Sequence, residues 1–367
     1  MKNILVNGYF GVNFGDDLFF KILFERYPKI KFSFYNNSYL QNLNEKYKEI
    51  YFNYNNVEVK KYNKVRRVFE KLGNTTIMDK MQYSKYDGTV FIGGSIFMER
   101  PYWENSYTEK KNVINYFYEA QKPVFIIGSN FGPVKTDKFK SKYSELFDKC
   151  TDICFRDKYS YDLFSNKTNI RLAPDIVFQL KGKNVEKVKD TVGISVINVE
   201  HKADLKVFAD DYNSKIKEIV EKLIITGKKI TFFSFCKAEG DEEAIDKIVE
   251  LIDEKYKSSI SIEKYSGDID GFLEKFESME NIIGTRFHAC ILSQVFNQGL
   301  YPIIYSDKTY NVLKDIKLDK HYKYIKDINM LDVDELITIL PANKINNVNL
   351  FKEAEEQFKG LDNYVGK

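Results

Sequence analysis

A twice-repeated alternation of short β-rich apolar runs with longer amphipathic stretches constrains this chain more than any other feature. Such alternation marks βαβ units wound around a parallel sheet. In the first half, residues 4–7, 31–35, 90–92, 124–127, 153–156 and 170–172 read as strands. Helices over 18–26, 110–120, 139–149 and 159–164 separate most of them. The polar stretch 181–190, with Gly182 and no apolar period, reads as a linker. The pattern then restarts, with strands at 192–196, 230–235, 260–263, 282–283 and 302–305 and helices at 211–225, 242–255, 269–279, 289–296 and 310–316. The spacing predicts an α/β chain of two doubly wound domains, 1–180 and 191–345, facing a cleft, with ligands at the carboxyl ends of the strands. An amphipathic helix starting at Leu350, within the last segment 346–367, is expected to pack back on the first domain.

A chain of 367 residues exceeds what one core usually organises, and 43% hydrophobic content is enough for two. The 56 basic and 53 acidic residues leave a net charge of +3, too balanced to indicate nucleic-acid binding, so an anionic ligand has to be read from local sites. Cys150, Cys154, Cys236 and Cys290 show no Cys-x-x-Cys pairing and no His-rich partner segment, which argues against a zinc site or a disulfide framework. No metal and no cofactor are expected. The first residues pass directly into a strand pattern, and no apolar run reaches membrane-spanning length, so the reading is a cytoplasmic protein. The basic tract Lys60-Lys61-Tyr62-Asn63-Lys64-Val65-Arg66-Arg67 reads as a solvated helix face, with docking on the anionic inner face of a membrane as the alternative.

The chemistry concentrates at strand ends. Gly284-Thr285-Arg286-Phe287-His288-Ala289 follows an apolar strand and opens an apolar helix, which places a guanidinium and an imidazole where a helix start offers N–H groups to an anion. The alternative is a structural ion pair for Arg286 and a cap for His288. Gly8-Tyr9-Phe10-Gly11-Val12-Asn13-Phe14-Gly15-Asp16-Asp17 also joins a strand to a helix. Asp16 or Asp17 can cap that helix or take a proton from a hydroxyl, and capping by Asp16 is the simpler role. Glycine spacing excludes a Rossmann fingerprint and a Walker loop here. Further strand-end turns are Gly93-Gly94-Ser95, Gly128-Ser129-Asn130-Phe131-Gly132-Pro133 and Phe155-Arg156-Asp157-Lys158-Tyr159-Ser160, the last with an Arg156–Asp157 surface pair as its bland reading. Trp103, the only tryptophan, lies in an aromatic tract that suits either a sugar-stacking platform or a packed loop.

Taken in order, these pieces resemble the polysaccharide pyruvyltransferase family. The run from Gly8 to Asp17 is similar to its Gly-x-x-Gly-x-x-Asn-x-Gly-Asp-Glu start, with Asp17 for the glutamate. Gly93-Gly94-Ser95 resembles its Gly-Gly-Gly-Ser loop with one glycine lost, and the turn from Gly128 to Pro133 its Gly-x-Gly-Ile-Gly-Pro. Arg156 to Ser160 looks like its Arg-Asp-x-x-Ser segment, and Ala173-Pro174-Asp175 like the aspartate that ends its first half. Gly284 to Ala289 matches Gly-x-Arg-Leu-His-Ala with Phe287 for leucine, and Tyr305 to Lys308 its Tyr-x-x-Lys.

The resemblance implies two Rossmann-like domains of the GT-B type, the first on the acceptor side and the second on the donor side. It also implies transfer of the pyruvyl group of phosphoenolpyruvate to sugar hydroxyls, as a ketal, in cell-surface glycan synthesis. Donor-binding positions then fall on Arg156, Arg286, Phe287 and His288, with Lys308 adding charge at the phosphate. His288 becomes the general acid and Asp16 or Asp17 the base. Gly15, Gly93, Gly94, Ser95, Asn130 and Trp103 become acceptor-side or loop residues. The acceptor is an oligosaccharide, lipid-linked or not. A nucleotide-sugar glycosyltransferase on the same architecture and a catalytically silent glycan-binding scaffold remain as alternatives.

Overall fold

A computed structural model describes residues 1–36, 54–61, 82–345 and 349–367. The chain forms two compact units, one of Met1–Gly11, Phe19–Gln179 and Phe351–Lys367, the other of Val12–Leu18 and Leu180–Leu350. The expected division near residue 180 therefore misses a transfer: Val12–Leu18, the start of the helix Phe14–Arg26, belongs with the second unit. Beyond Lys61, the basic tract lies outside the described residues.

The first unit is built on a seven-stranded parallel sheet. Its strands are β1 (Asn3–Asn7), β2 (Lys31–Asn36), β3 (Val57–Lys61), β4 (Gly88–Ile92), β5 (Val124–Ser129), β6 (Asp152–Phe155) and β7 (Ile170–Leu172), in the order β3-β2-β1-β4-β5-β6-β7. Every residue of β4 and β5 is buried, which is why these segments read as continuous apolar runs rather than alternating ones. One face carries a nest of aromatic rings, with Phe131 edge-on to Phe164 at 4.8 Å and Phe97 edge-on to Tyr143 at 5.4 Å. The helix Trp103–Glu119 starts well before residue 110 because Trp103, Tyr107, Ile114 and Phe117 carry its apolar stripe into that nest. The C-terminal segment is tied to this unit by Gln357, fully buried. Its amide donates to the carbonyls of Ala173 at 2.7 Å and Phe155 at 3.2 Å, and its oxygen accepts from Gly128 N–H at 2.9 Å.

The second unit carries a six-stranded parallel sheet of β8 (Val188–Ser195), β9 (Lys229–Ser234), β10 (Ile260–Lys264), β11 (Met279–Gly284), β12 (Gly299–Ile304) and β13 (Lys323–Tyr324), ordered β10-β9-β8-β11-β12-β13. Strand order reverses between β8 and β11, the place where doubly wound sheets open a crevice for ligands. β8 begins inside the expected linker; its first three residues are exposed, so no apolar signal announced them. The expected helix 242–255 is two, Asp241–Leu251 and Glu254–Lys257, parted by the extended backbone of Ile252. Among the described residues no helix is long and apolar enough to cross a membrane.

Candidate functional site

The site is assembled at the β8/β11 switch point of the second unit. Gly284 ends β11, and the next two N–H groups, of Thr285 and Arg286, donate to Ser195 Oγ at the end of β8, at 3.1 and 3.2 Å. Thr285 Oγ1 lies 2.9 Å from the buried Tyr212 hydroxyl. The turn is thus held on both sides, and it hands Arg286 over as the residue preceding the helix Phe287–Val295.

Arg286 is not an open clamp. Its Nε donates to Asp241 Oδ2 at 3.0 Å, its Nη2 to Asp241 Oδ1, and its Nη1 to Glu239 Oε2 at 2.6 Å. Asp241 also accepts the N–H groups of Phe235 and Cys236, both at 3.0 Å, so its carboxylate takes four N–H bonds. The expectation of a free cation gives way to the ion-pair alternative, because a guanidinium this enclosed has to be matched by carboxylate. Burial would lower the Arg286 pKa, but the charges of Asp241 and Glu239 win and hold it above its ordinary value. Burial would likewise raise Glu239; the charge and hydrogen bond of Arg286, with Lys202 and Lys308, hold it down to about 2. Lys202 Nζ stands 3.6 Å from Glu239 and lies over the Tyr305 ring at 5.6 Å, and Lys308 Nζ lies over the Phe287 ring at 4.9 Å. Arg286, Lys202 and Lys308 face Glu239 and Asp241, with Asp307 beside Lys308, so the charges balance across the starts of two helices.

His288 stands in the first turn of Phe287–Val295, half-buried, and packs on Gly15 so closely that a Cβ there would lie 1.9 Å from its Nδ1. Only glycine fits under the imidazole. Asn13, rather than Asp16, caps the helix Phe14–Arg26: its Oδ1 accepts the Gly15 N–H at 3.1 Å. That correction leaves Asp16 in the first turn, half-buried. Asp17 is fully buried and accepts a 2.6 Å hydrogen bond from the Tyr265 hydroxyl. The segment is anchored by Phe14, whose N–H donates to the Phe235 carbonyl at 3.0 Å and whose ring meets Phe235, Tyr265 and Phe272.

The first unit gathers its own cluster at the ends of β4, β5 and β6. Arg156, 2% exposed, donates from Nη1 to Asp175 Oδ2 at 2.7 Å and from Nη2 to Asn130 Oδ1 at 2.8 Å. Ser95 Oγ donates to the same Asn130 oxygen at 3.0 Å. A Cβ on Gly94 would lie 2.7 Å from the guanidinium, so this glycine makes room for the arginine. Arg156 is therefore buried and ion-paired with Asp175, and Asp157 accepts the Ser160 N–H as a helix cap. Trp103 is corrected as well: at 9% exposure its ring is packed edge-on against Phe139 at 4.9 Å and Tyr107 at 5.9 Å, so it offers no stacking face to a sugar.

Glu239, Asp241, Lys202, Ser195 and Tyr265 were missed in the sequence. Asp241 did carry a signal, an acid just after Gly240 at a helix start, but that pattern equally marks an ordinary first turn. All four cysteines are buried and unbridged. Among the described residues no group of three or more His, Cys, Asp or Glu is placed to hold a metal ion.

Two parallel-sheet α/β units, each with polar residues gathered at its strand ends, make a fold of the GT-B type. Among solved structures, UDP-GlcNAc 2-epimerase from Methanocaldococcus jannaschii superposes with a TM-score of 0.63 at 12% identity, over 99% of this chain and 100% of the other. The S. aureus MnaA structure with UDP gives 0.60 at 10% identity, over 100% and 97%. At such identities the likeness speaks for the fold alone. Residues 13–307 match the family described as polysaccharide pyruvyl transferase, and the chain belongs to that family of transferases. The amylovoran biosynthesis protein AmsJ of Erwinia amylovora is 22% identical over 303 residues, which span 76% of this chain and 69% of AmsJ.

Proposed function

We propose that the protein transfers the pyruvyl group of phosphoenolpyruvate to two hydroxyls of a sugar, closing a ketal on a cell-surface glycan. The observation that carries this reading is the pair of helix starts at adjacent strand ends of the second unit, with Arg286, His288 and Lys308. Phosphoenolpyruvate is a small molecule with two anionic groups, and two neighbouring N-termini offer two seats. Arg286, locked by Asp241, supplies a fixed charge, and Phe287 supplies an apolar wall under Lys308.

A sugar hydroxyl adds to the enol carbon as the methylene carbon takes a proton from His288. A second hydroxyl then displaces phosphate from the same carbon. Asp16, half-buried in its helical turn, is the base that takes the hydroxyl proton, and Asp17 with Tyr265 fixes that turn. No metal or cofactor enters this scheme. Arg156 has a positioning role in the first unit, holding the turns of Gly94, Ser95 and Asn130 on the acceptor side. The chemistry suits the cytoplasm or its membrane face, with a lipid-linked or free oligosaccharide as acceptor.

Phosphate release from phosphoenolpyruvate in the presence of acceptor glycans tests the reaction. His288→Gln keeps a hydrogen bond but cannot relay a proton, so kcat should fall about 10²-fold or more with a much smaller change in donor affinity. A kcat near that of the wild type would remove the acid role.

A further inference from the structure

We infer that Ser306 and Thr309 form the seat of a phosphoryl group at the start of the helix Asp307–Asp315, one strand over from Arg286 and His288. This rests on the donor reading above and assigns the donor's two anionic groups to separate helix starts. β11 and β12 are adjacent and parallel, with Gly284 paired to Pro302, so the turns that follow them open side by side.

The backbone of Ser306 has the extended conformation of a capping residue, φ −151° and ψ 149°, yet its hydroxyl caps nothing. Among the described residues, Ser306 Oγ and Thr309 Oγ1 are both buried atoms without a hydrogen-bond partner, and Thr309 is only 1% exposed. A helical threonine ordinarily returns its hydroxyl to a carbonyl one turn back; this one does not. Ser306 precedes the helix and Thr309 ends its first three residues, so both hydroxyls belong to the helix start. The Ser306 carbonyl takes the N–H groups of Thr309 at 3.1 Å and Tyr310 at 3.4 Å, while those of Asp307 and Lys308 come before the first helical acceptor. Burying two hydroxyls unmet costs free energy, which a ligand with several acceptor oxygens recovers.

Two hydroxyls, first-turn N–H groups and the ammonium of Lys308 in the same turn are all donors, and a phosphoryl group with three terminal oxygens can accept from more of them than a carboxylate. Lys202, over Tyr305, adds charge nearby. The Asp307 carboxylate is exposed and accepts from the Tyr324 hydroxyl at 3.3 Å, on an oxygen thereby turned to a neighbour. In the reaction, the C–O bond from the ketal carbon to phosphate breaks with its electron pair going to the phosphate oxygen. The second sugar oxygen forms the replacing bond and yields its proton to His288, which the first step left neutral. The seat holds the departing phosphate throughout, so inorganic phosphate should compete with phosphoenolpyruvate.

The test is titration of the full chain with inorganic phosphate and, separately, phosphoenolpyruvate, by calorimetry, for wild type, Ser306→Ala/Thr309→Val and Thr309→Ser. Hydrogen bonds to a charged group are lost in the double variant, so both ligands should bind about 10–100-fold more weakly, while Thr309→Ser, which keeps the hydroxyl, stays within a few-fold of wild type. Phosphoenolpyruvate binding that the folded double variant leaves unchanged overturns the seat and spares the donor reading. Phosphate binding that depends on these hydroxyls, without any phosphoenolpyruvate binding by wild type, supports the seat and removes the donor reading. Wild type binding neither ligand overturns both.

Discussion

Glu239→Gln is the perturbation whose outcome the charge arrangement decides most sharply. Arg286 gives two of its nitrogens to Asp241, 0% exposed, and only Nη1 to Glu239, which is 39% exposed at its side chain. An incoming anion meets Glu239 as a competitor at the one open end of the guanidinium. Removing that charge makes the surroundings of Arg286 more positive by one unit. Coulomb's law at about 5 Å, with the high effective dielectric of a part-exposed group, gives roughly 1 kcal/mol, or about five-fold tighter donor binding after screening. Because Glu239 titrates at about 2, it is ionised throughout the neutral range, and the gain should not vary between about pH 5 and 8. Its pKa lies below the ordinary carboxylate value, so its contribution to native stability is present above that value and lost as pH falls toward 2. The difference in melting temperature between wild type and variant should shrink over the same interval. Calorimetric titration with phosphoenolpyruvate at low salt reads the affinity; a folded variant that binds five-fold or more weakly would refute competition and make Glu239 a positioning partner of Arg286.

Gly15→Ala forces the imidazole of His288 off its seat, since the added Cβ would lie 1.9 Å from Nδ1; phosphate release should fall at least about 10-fold in a protein that still melts cooperatively, and an unchanged rate would show that this contact does not orient His288. Tyr265→Phe removes the 2.6 Å bond to buried Asp17 and should cost roughly 1.5–3 kcal/mol in urea unfolding, whereas a midpoint within error of wild type would mean other groups suffice to hold Asp17. Arg156→Met leaves the Asp175 carboxylate buried with its charge unmatched, so about 3–5 kcal/mol of stability should be lost; a milder loss that goes with weaker donor binding would restore Arg156 as a direct ligand.

The strands were legible where a sheet is covered on both faces: β4, β5 and β12 read as apolar runs because every residue along them is buried. β13 has two residues and β8 starts with three exposed ones, so neither stretch carried a pattern to read. Polar chemistry was legible by position, since Gly15, Arg286 and His288 lie in turns whose role follows from their neighbours in sequence. Their partners were not. Asp241 reaches Arg286 from 45 positions away and Tyr265 reaches Asp17 from 248, and both meetings depend on strand order and on residues 12–18 joining the second unit. Asn13 displaced Asp16 as cap for a local reason of the same kind: an amide one residue before the helix reaches the orphan N–H more directly than a carboxylate already inside the turn. A sequence shows which charges a site owns, but the sign and size of the field at its mouth depend on which carboxylates the fold returns to it. With Asp241 alone, Arg286 would be a neutralised strut. Glu239, bonded to the same guanidinium and with Lys202 3.6 Å away, adds one further charge of each sign, so the field at Arg286 is set by residues that lie far from it in sequence.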